Sequence, residues 1–158
     1  MATEDAFNAA KVVFTMYGGF FKDVAAEIGM ERALALHAKT GESFAAMLAA
    51  MTKERLGGRE FDLKTLAAVE SEGAARGFGM TCETEAGPAS IRNTWLRCSL
   101  YEGLRDAGLD HDVIAQMCHG GAAVEFAALN ETFPRLSGSV KFRATPDQPC
   151  VEELVHAK

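Results

Sequence analysis

The hydrophobic period of this chain changes near Gly77, and that change limits the folds open to it. Ahead of Gly77 apolar residues recur every three or four positions, the spacing of one helix face. Beyond it Phe78, Met80, Cys82 and Thr84 alternate with Gly79, Thr81, Glu83 and Glu85. An alternation of two places successive side chains on opposite faces of a strand. Gly87-Pro88 supplies a turn, and Ile91, Asn93 and Trp95 alternate with Arg92, Thr94 and Leu96 as the returning strand of a hairpin.

The helical half divides into three. Phe7, Ala10, Val13, Phe14, Tyr17, Phe20, Phe21, Val24 and Ile28 form one stripe from Asp5 onward. Gly18-Gly19 inside it costs about 1 kcal/mol per glycine relative to alanine, which predicts a kink, a split into two helices, or a close approach by another backbone. Ala33, Leu34, Leu36, His37, Phe44, Met47, Leu48 and Met51 mark a second helix, ending in Lys53, Arg55 and Gly57-Gly58, a C-terminal stop. Phe61, Leu63, Leu66, Ala67 and Val69 mark a shorter third, closed by the glycines between Gly73 and Gly79.

After the hairpin, Ser99 with Glu102 three places on reads as a capping box, so a helix starts after Cys98 and stops at Gly108. Asp110 caps another helix through Val113, Ile114, Met117 and Cys118. Gly120-Gly121 is expected to break it before a last helical stretch from Ala122 to Leu129. Val140, Phe142 and Ala144 alternate with Lys141 and Arg143, Pro146 to Pro149 turn, and Cys150 to Val155 return. The order predicts an α+β fold: N-terminal helices, then a four-stranded antiparallel sheet built from two hairpins with helices between them.

With 158 residues, of which 48% are apolar, a single domain over 1–158 is expected, helical over 1–76 and hairpin-helices-hairpin over 77–158. The net charge of −6 is the wrong sign for a protein that neutralises phosphates, so nucleic acid is excluded as a partner. No apolar run approaches the roughly 20 residues that span a bilayer. The opening Met1-Ala2-Thr3-Glu4-Asp5 is acidic where a signal peptide is basic. The expectation is a cytoplasmic protein with no membrane partner and its cysteines reduced.

Three of the four cysteines carry most of the chemical interest. Cys98 lies where a strand hands over to a helix, next to Arg97, so a helix N-terminus and a cation could together stabilise a thiolate. Cys118 is followed by His119, a thiol and an imidazole that could share a proton. The bland alternative for each is a buried thiol that fills space. Cys98, Cys118, His119 and Cys150 have the side chains of a zinc site, but the cysteine spacings of 16, 20 and 32 residues contain no metal signature, so no cofactor is expected. Cys82 reads as core, His37 as a satisfied buried histidine, and His111 and His156 as exposed. Glu152-Glu153 reads as solvated surface.

The stretch Arg97-Cys98-Ser-Leu-Tyr-Glu102-Gly-Leu-Arg-Asp-Ala-Gly108, then Ile114-Ala-Gln-Met-Cys118-His119, then Asn130 and Asp147-Gln-Pro-Cys150, resembles the L-2-amino-thiazoline-4-carboxylic acid hydrolase family. The resemblance covers about the last 65 residues. It implies hydrolysis of a cyclic amidine C–N bond in a small carboxylated heterocycle. In that reading Cys98 or Cys118 is the nucleophile and His119 moves protons. Arg97 or Arg92 holds the substrate carboxylate, Asn130 or Glu125 positions the leaving nitrogen, and Cys150 belongs to the substrate site. The order of elements is also similar to that of 4-vinyl reductase and trafficking-particle domains, which implies the alternative: a non-catalytic ligand-binding or sensor domain. In that alternative the thiols line an apolar pocket or bind metal, and a paired sheet or paired helices make a homodimer.

Overall fold

The computed structural model describes residues 4–157. The chain runs α1 (Glu4–Ile28), α2 (Met30–Leu56), α3 (Leu63–Phe78), β1 (Thr81–Ala86), β2 (Ser90–Arg97), α4 (Ser99–Asp106), α5 (His111–Thr132), β3 (Leu136–Lys141) and β4 (Cys150–His156). The strands form one antiparallel sheet in the order β1-β2-β4-β3, so the α+β class and the two-hairpin sheet expected from the sequence are both present.

The register decides what meets at the sheet's end. Trp95 on β2 stands opposite Cys150, the first residue of β4, and Lys141, the last residue of β3, stands opposite Val151. The segments leaving β2 toward Cys98 and leaving β3 toward Arg143 therefore emerge at the same edge where β4 begins. Residues that are 45 to 52 positions apart in sequence are brought together by strand pairing alone.

Two groups of buried side chains hold the fold. One lies between α2, α3, α5 and the sheet and includes Leu48, Leu66, Ile91, Leu129 and Leu154. The other lies among α1, α2, α4 and α5 and includes Phe21, Ala33, Tyr101, Leu104, Ile114 and Met117. Burying a side chain of this size contributes roughly 1.5–3 kcal/mol.

The glycine pairs correct two expectations. α1 is one unbroken helix, and Gly18 lies in it because α4 and the turn after it press close: a Cβ there would sit 2.6 Å from Ala107 Cβ. α5 is likewise continuous through Gly120-Gly121. At that level α2 crosses it, and a Cβ on Gly41 would lie 2.5 Å from the Gly121 carbonyl oxygen. Small residues at a helix crossing let backbones approach, and tertiary packing outweighs the roughly 1 kcal/mol that each glycine costs in propensity.

Helix ends follow the local chemistry more closely. Asp62 caps α3 by accepting the Thr65 amide at 2.8 Å, and Gly79 closes it at φ 60°. The first strand consequently starts at Thr81, and α3 takes Phe78, which the alternation had assigned to the strand. β3 ends at Lys141, so Phe142 and Arg143 lie outside the ladder that the alternation had extended to Ala144. No helix among the described residues is long and apolar enough to cross a membrane.

Candidate functional site

At the edge where β2, β3 and β4 meet, Cys98 is the N-cap of α4. Its sulfur accepts the Tyr101 amide at 3.4 Å, the role expected of the Ser99 hydroxyl. Ser99 is instead the first helical residue, wholly buried, and its hydroxyl has no hydrogen-bond partner among the described residues. Cys118 reaches the same region from α5, and Cys150 from the start of β4. Cys98, Cys118 and Cys150 are free thiols close enough to influence one another electrostatically.

The cation of this cluster is Arg143, which is only 6% exposed. Its Nε donates to the Cys150 sulfur at 3.4 Å and its Nη1 to the Pro146 carbonyl at 3.1 Å. The guanidinium carbon lies 4.2 Å from the centre of the Tyr101 ring, a cation–π contact. Nη2 is buried and has no partner among the described residues. An unmade hydrogen bond on a buried charged group is costly, so an acceptor placed at Nη2 would be strongly favoured.

Burial dominates the thiols. It pushes the Cys98 thiol above its ordinary value, against the opposing pull of the Tyr101 amide and Arg143. It pushes the Cys118 thiol well up too, reinforced by Cys98 and Cys150. Both residues are half-buried as a whole, but their sulfurs face inward, and the desolvated thiol is the favoured form. Burial thus favours reading each as a buried thiol over the stabilised thiolate that a helix N-terminus and Arg97 could have given Cys98.

Aromatic and imidazole rings close one side. The Tyr101 hydroxyl lies 3.1 Å from Nδ1 of His111, which is half-buried and not exposed as expected. The Phe142 ring stands 5.1 Å from His111, 6.1 Å from His119 and 6.0 Å from Tyr101, centre to centre. His119 is exposed, and among the described residues no hydrogen bond joins a histidine to a thiol.

The other residues singled out in the sequence lie elsewhere. Arg97 is bound bidentately by Glu4, at 2.6 and 3.0 Å, and covers the Phe7 ring at 3.4 Å, so the cation beside Cys98 is Arg143 instead. Arg92 pairs with Glu153 across the β2–β4 ladder at 3.1 Å, on the wall of a shallow surface cleft. Asn130 ties the end of α5 to β3 by donating to the Leu136 carbonyl at 2.5 Å.

Glu125 belongs to a second cluster with Glu70 and Glu152. Asn93 Nδ2 donates to Glu70 at 3.3 Å and to Glu152 at 3.1 Å, and the Trp95 indole donates to Glu152 at 3.3 Å. Burial raises all three carboxyls, and repulsion from Glu152 adds to it at Glu70 and at Glu125, which is raised to about 8. Glu152 is 7% exposed, which corrects its reading as solvated surface. Its place on β4, in register with Asn93, turns it inward while Glu153 faces out.

His37 is the satisfied histidine its position suggested. The Met117 carbonyl, 3.1 Å away, can only accept, so Nε2 carries the proton and Nδ1 accepts the Tyr17 hydroxyl at 2.7 Å. His156 is half-buried against the Phe61 ring, not exposed. Among the described residues no three His, Cys, Asp or Glu side chains are arranged to hold a metal ion. Of the site residues, Arg143 and Tyr101 were not anticipated. Arg143 shares an alternating segment with a second cation, Lys141, and no sequence signal marked it as turned inward.

Comparison with known proteins places the fold. The chain is similar to trafficking protein particle complex subunit 3 from Naegleria fowleri, a structure solved with palmitic acid covalently bound. The TM-score is 0.57 at 12% identity, over 95% of this chain and 96% of that one. The two share a fold. This agrees with the trafficking-particle likeness read from the order of elements. No family model and no curated protein matches the chain, so the resemblance to the thiazoline-carboxylate hydrolase family finds no support in these comparisons.

Proposed function

We propose that this protein is a non-catalytic binding domain for a carboxylate-bearing apolar molecule, held with its carboxylate at Arg143 and its apolar body beside the thiols and rings of Tyr101 and Phe142. The observation that carries the reading is the buried, unpartnered Nη2 of Arg143. A carboxylate oxygen there would complete the guanidinium's hydrogen bonding, and charge-assisted bonds of this kind are among the strongest in proteins. The thiols Cys98, Cys118 and Cys150 give a soft, weakly polar lining.

Two points favour binding over turnover. A thiol nucleophile needs a base within about 3 Å, and burial holds Cys98 and Cys118 in the protonated form. The structural neighbour holds palmitic acid, a molecule with a long apolar chain, within the same fold. That complex is covalent; with protonated thiols the complex proposed here is not.

The test is a thermal-shift series with decanoate, decanol and decylamine, together with incubation with 2-amino-thiazoline-4-carboxylate followed by NMR. Stabilisation by decanoate alone, with the thiazoline unchanged, is expected. Conversion of the thiazoline would restore the hydrolase reading, and equal response to all three head groups would remove Arg143 from the account.

A further inference from the structure

β3 ends at Lys141 and β4 begins at Cys150, so the loop 142–149 brings Arg143 back beside the start of β4. Inside this loop the Gln148 amide donates to the Thr145 carbonyl at 3.1 Å, a turn that fixes the Pro146 carbonyl between them. That carbonyl accepts Nη1 of Arg143, the Cys150 sulfur accepts Nε, and the Tyr101 ring lies 4.2 Å from the guanidinium carbon. Three contacts thus set both the position and the plane of the guanidinium.

The plane decides where the remaining hydrogens point. In a guanidinium the Nε–H and one N–H of Nη2 project side by side from the same edge, the edge that grips two oxygens of a carboxylate. Arg143 uses the Nε–H of that edge on the Cys150 sulfur. The neighbouring Nη2 hydrogen therefore projects past the same sulfur, and Nη2 is buried with no partner among the described residues. An oxygen bonded to the Cys150 sulfur falls within reach of this edge. Among the described residues no carboxylate pairs with Arg143, so its charge is free to face an oxyanion.

We propose that Cys150 is a peroxide-reactive thiol and that Arg143 holds its sulfenic acid, the new oxygen accepting from Nη2. The sulfur attacks one oxygen of hydrogen peroxide, and the O–O bond breaks as the S–O bond forms. The departing hydroxide takes the thiol proton and becomes water. Sulfur loses two electrons, which the peroxide gains. The guanidinium opposes the negative charge that the sulfur carries as it attacks, and the same charge then grips the product oxygen.

The surroundings single out this thiol. Of the four free cysteines, Cys150 alone accepts a hydrogen bond from a charged side chain among the described residues, and it is half-buried, within reach of a small oxidant. Oxidation-sensitive cysteines occupy electropositive, partly exposed positions of this kind. Cys98 and Cys118 lie nearby, but burial keeps them protonated, so they are slow to condense with a sulfenic acid. The oxidised state therefore persists. Its regulatory consequence rests on the reading of Arg143 as a carboxylate site: the sulfenic oxygen takes the hydrogen bond that a ligand carboxylate would take, and oxidation shuts the site.

The experiment treats the full chain with hydrogen peroxide in the presence of dimedone, which traps sulfenic acids, and maps the adduct by mass spectrometry. Labelling at Cys150, with Cys98 and Cys118 unlabelled, is expected. Arg143→Met should slow it at least about tenfold, the factor that one charge-assisted hydrogen bond supplies. Arg143→Lys should recover the rate but shorten the life of the sulfenic acid, read by adding dimedone at intervals after catalase has removed the peroxide. Cys98 and Cys118 that stay inert to iodoacetamide show that each variant is folded. No label, a label elsewhere, or a disulfide from Cys150 to Cys98 or Cys118 overturns the proposal. Decanoate titrated into reduced and oxidised wild type separates the two readings. Binding to the reduced form alone supports both, and equal binding to the two forms places the oxygen away from Nη2 and overturns this one. A dimedone adduct at Cys150 with no decanoate bound by either form removes the ligand reading and leaves the thiol chemistry standing.

Discussion

Arg143 donates its Nε–H to the sulfur of Cys150 across 3.4 Å, joining the segment that leaves β3 to the first residue of β4. The contact closes the mouth of the second hairpin and holds a guanidinium within electrostatic reach of Cys98 and Cys118. Replacing Arg143 by Lys keeps the charge but loses the planar fork and the stacking on Tyr101. Carboxylate binding by Arg143→Lys should weaken at least about tenfold, a loss of one charge-assisted hydrogen bond. Titration monitored by Trp95 fluorescence reads the change.

Thiol chemistry gives a second expectation. Burial raises Cys98 and Cys118, so neither is a ready nucleophile at neutral pH. Brief iodoacetamide treatment near pH 7, with intact mass and peptide mapping, should leave both unmodified. Their alkylation should accelerate only in strong alkali or on unfolding. Rapid modification of either at neutral pH would revive a catalytic role.

The carboxyl cluster makes stability depend on pH in an uncommon direction. Glu70, Glu125 and Glu152 keep their protons to higher pH in the folded chain than unfolded, Glu125 up to about 8. The folded state binds more protons across this window, so its stability is greatest below the ordinary carboxylate range and is lost as pH rises through about 8. His37, lowered by burial, acts oppositely but only below its ordinary range. Between about pH 6.5 and 8.5 the melting temperature should therefore fall by a few degrees. Glu125→Gln should flatten that slope. A melting temperature that rises over this interval would contradict the account.

Packing at the helix crossings separates two neighbouring glycines. A Cβ on Gly18 would meet Ala107 Cβ at 2.6 Å, whereas one on Gly19 would meet nothing within 4 Å. Gly18→Ala should destabilise by about 1–3 kcal/mol through overpacking. Gly19→Ala should stabilise by about 0.5–1 kcal/mol through helix propensity. Urea denaturation of the two variants checks both signs.

These glycines also show where sequence reading reaches its limit. The period of apolar residues, with a capping signal for α4, located the helices and both hairpins, because burial of one face and helix capping are local patterns. The same reading split α1 and α5 at their glycines, because the Ala107 and Gly41 contacts that occupy those positions come from segments 89 and 80 residues away. The candidate site was legible only in part. Cys98, Cys118 and Cys150 stood out as chemically distinct and do converge, but their cation was read as neighbouring Arg97 and is Arg143. Sequence adjacency favoured Arg97, while Glu4 and Phe7 hold it away. Glu152 was misread for the same reason: adjacent acids in a strand point to opposite faces, and only one of them is solvated.

The central claim, that Arg143 holds the carboxylate of an apolar ligand, is tested most directly by isothermal calorimetry of decanoate with the wild-type chain and with Arg143→Met. Saturable one-site binding that weakens at least about a hundredfold in the variant is the predicted result, as loss of a buried charged partner requires. Equal affinity in the two proteins, or no binding to the wild type at millimolar decanoate, would contradict it.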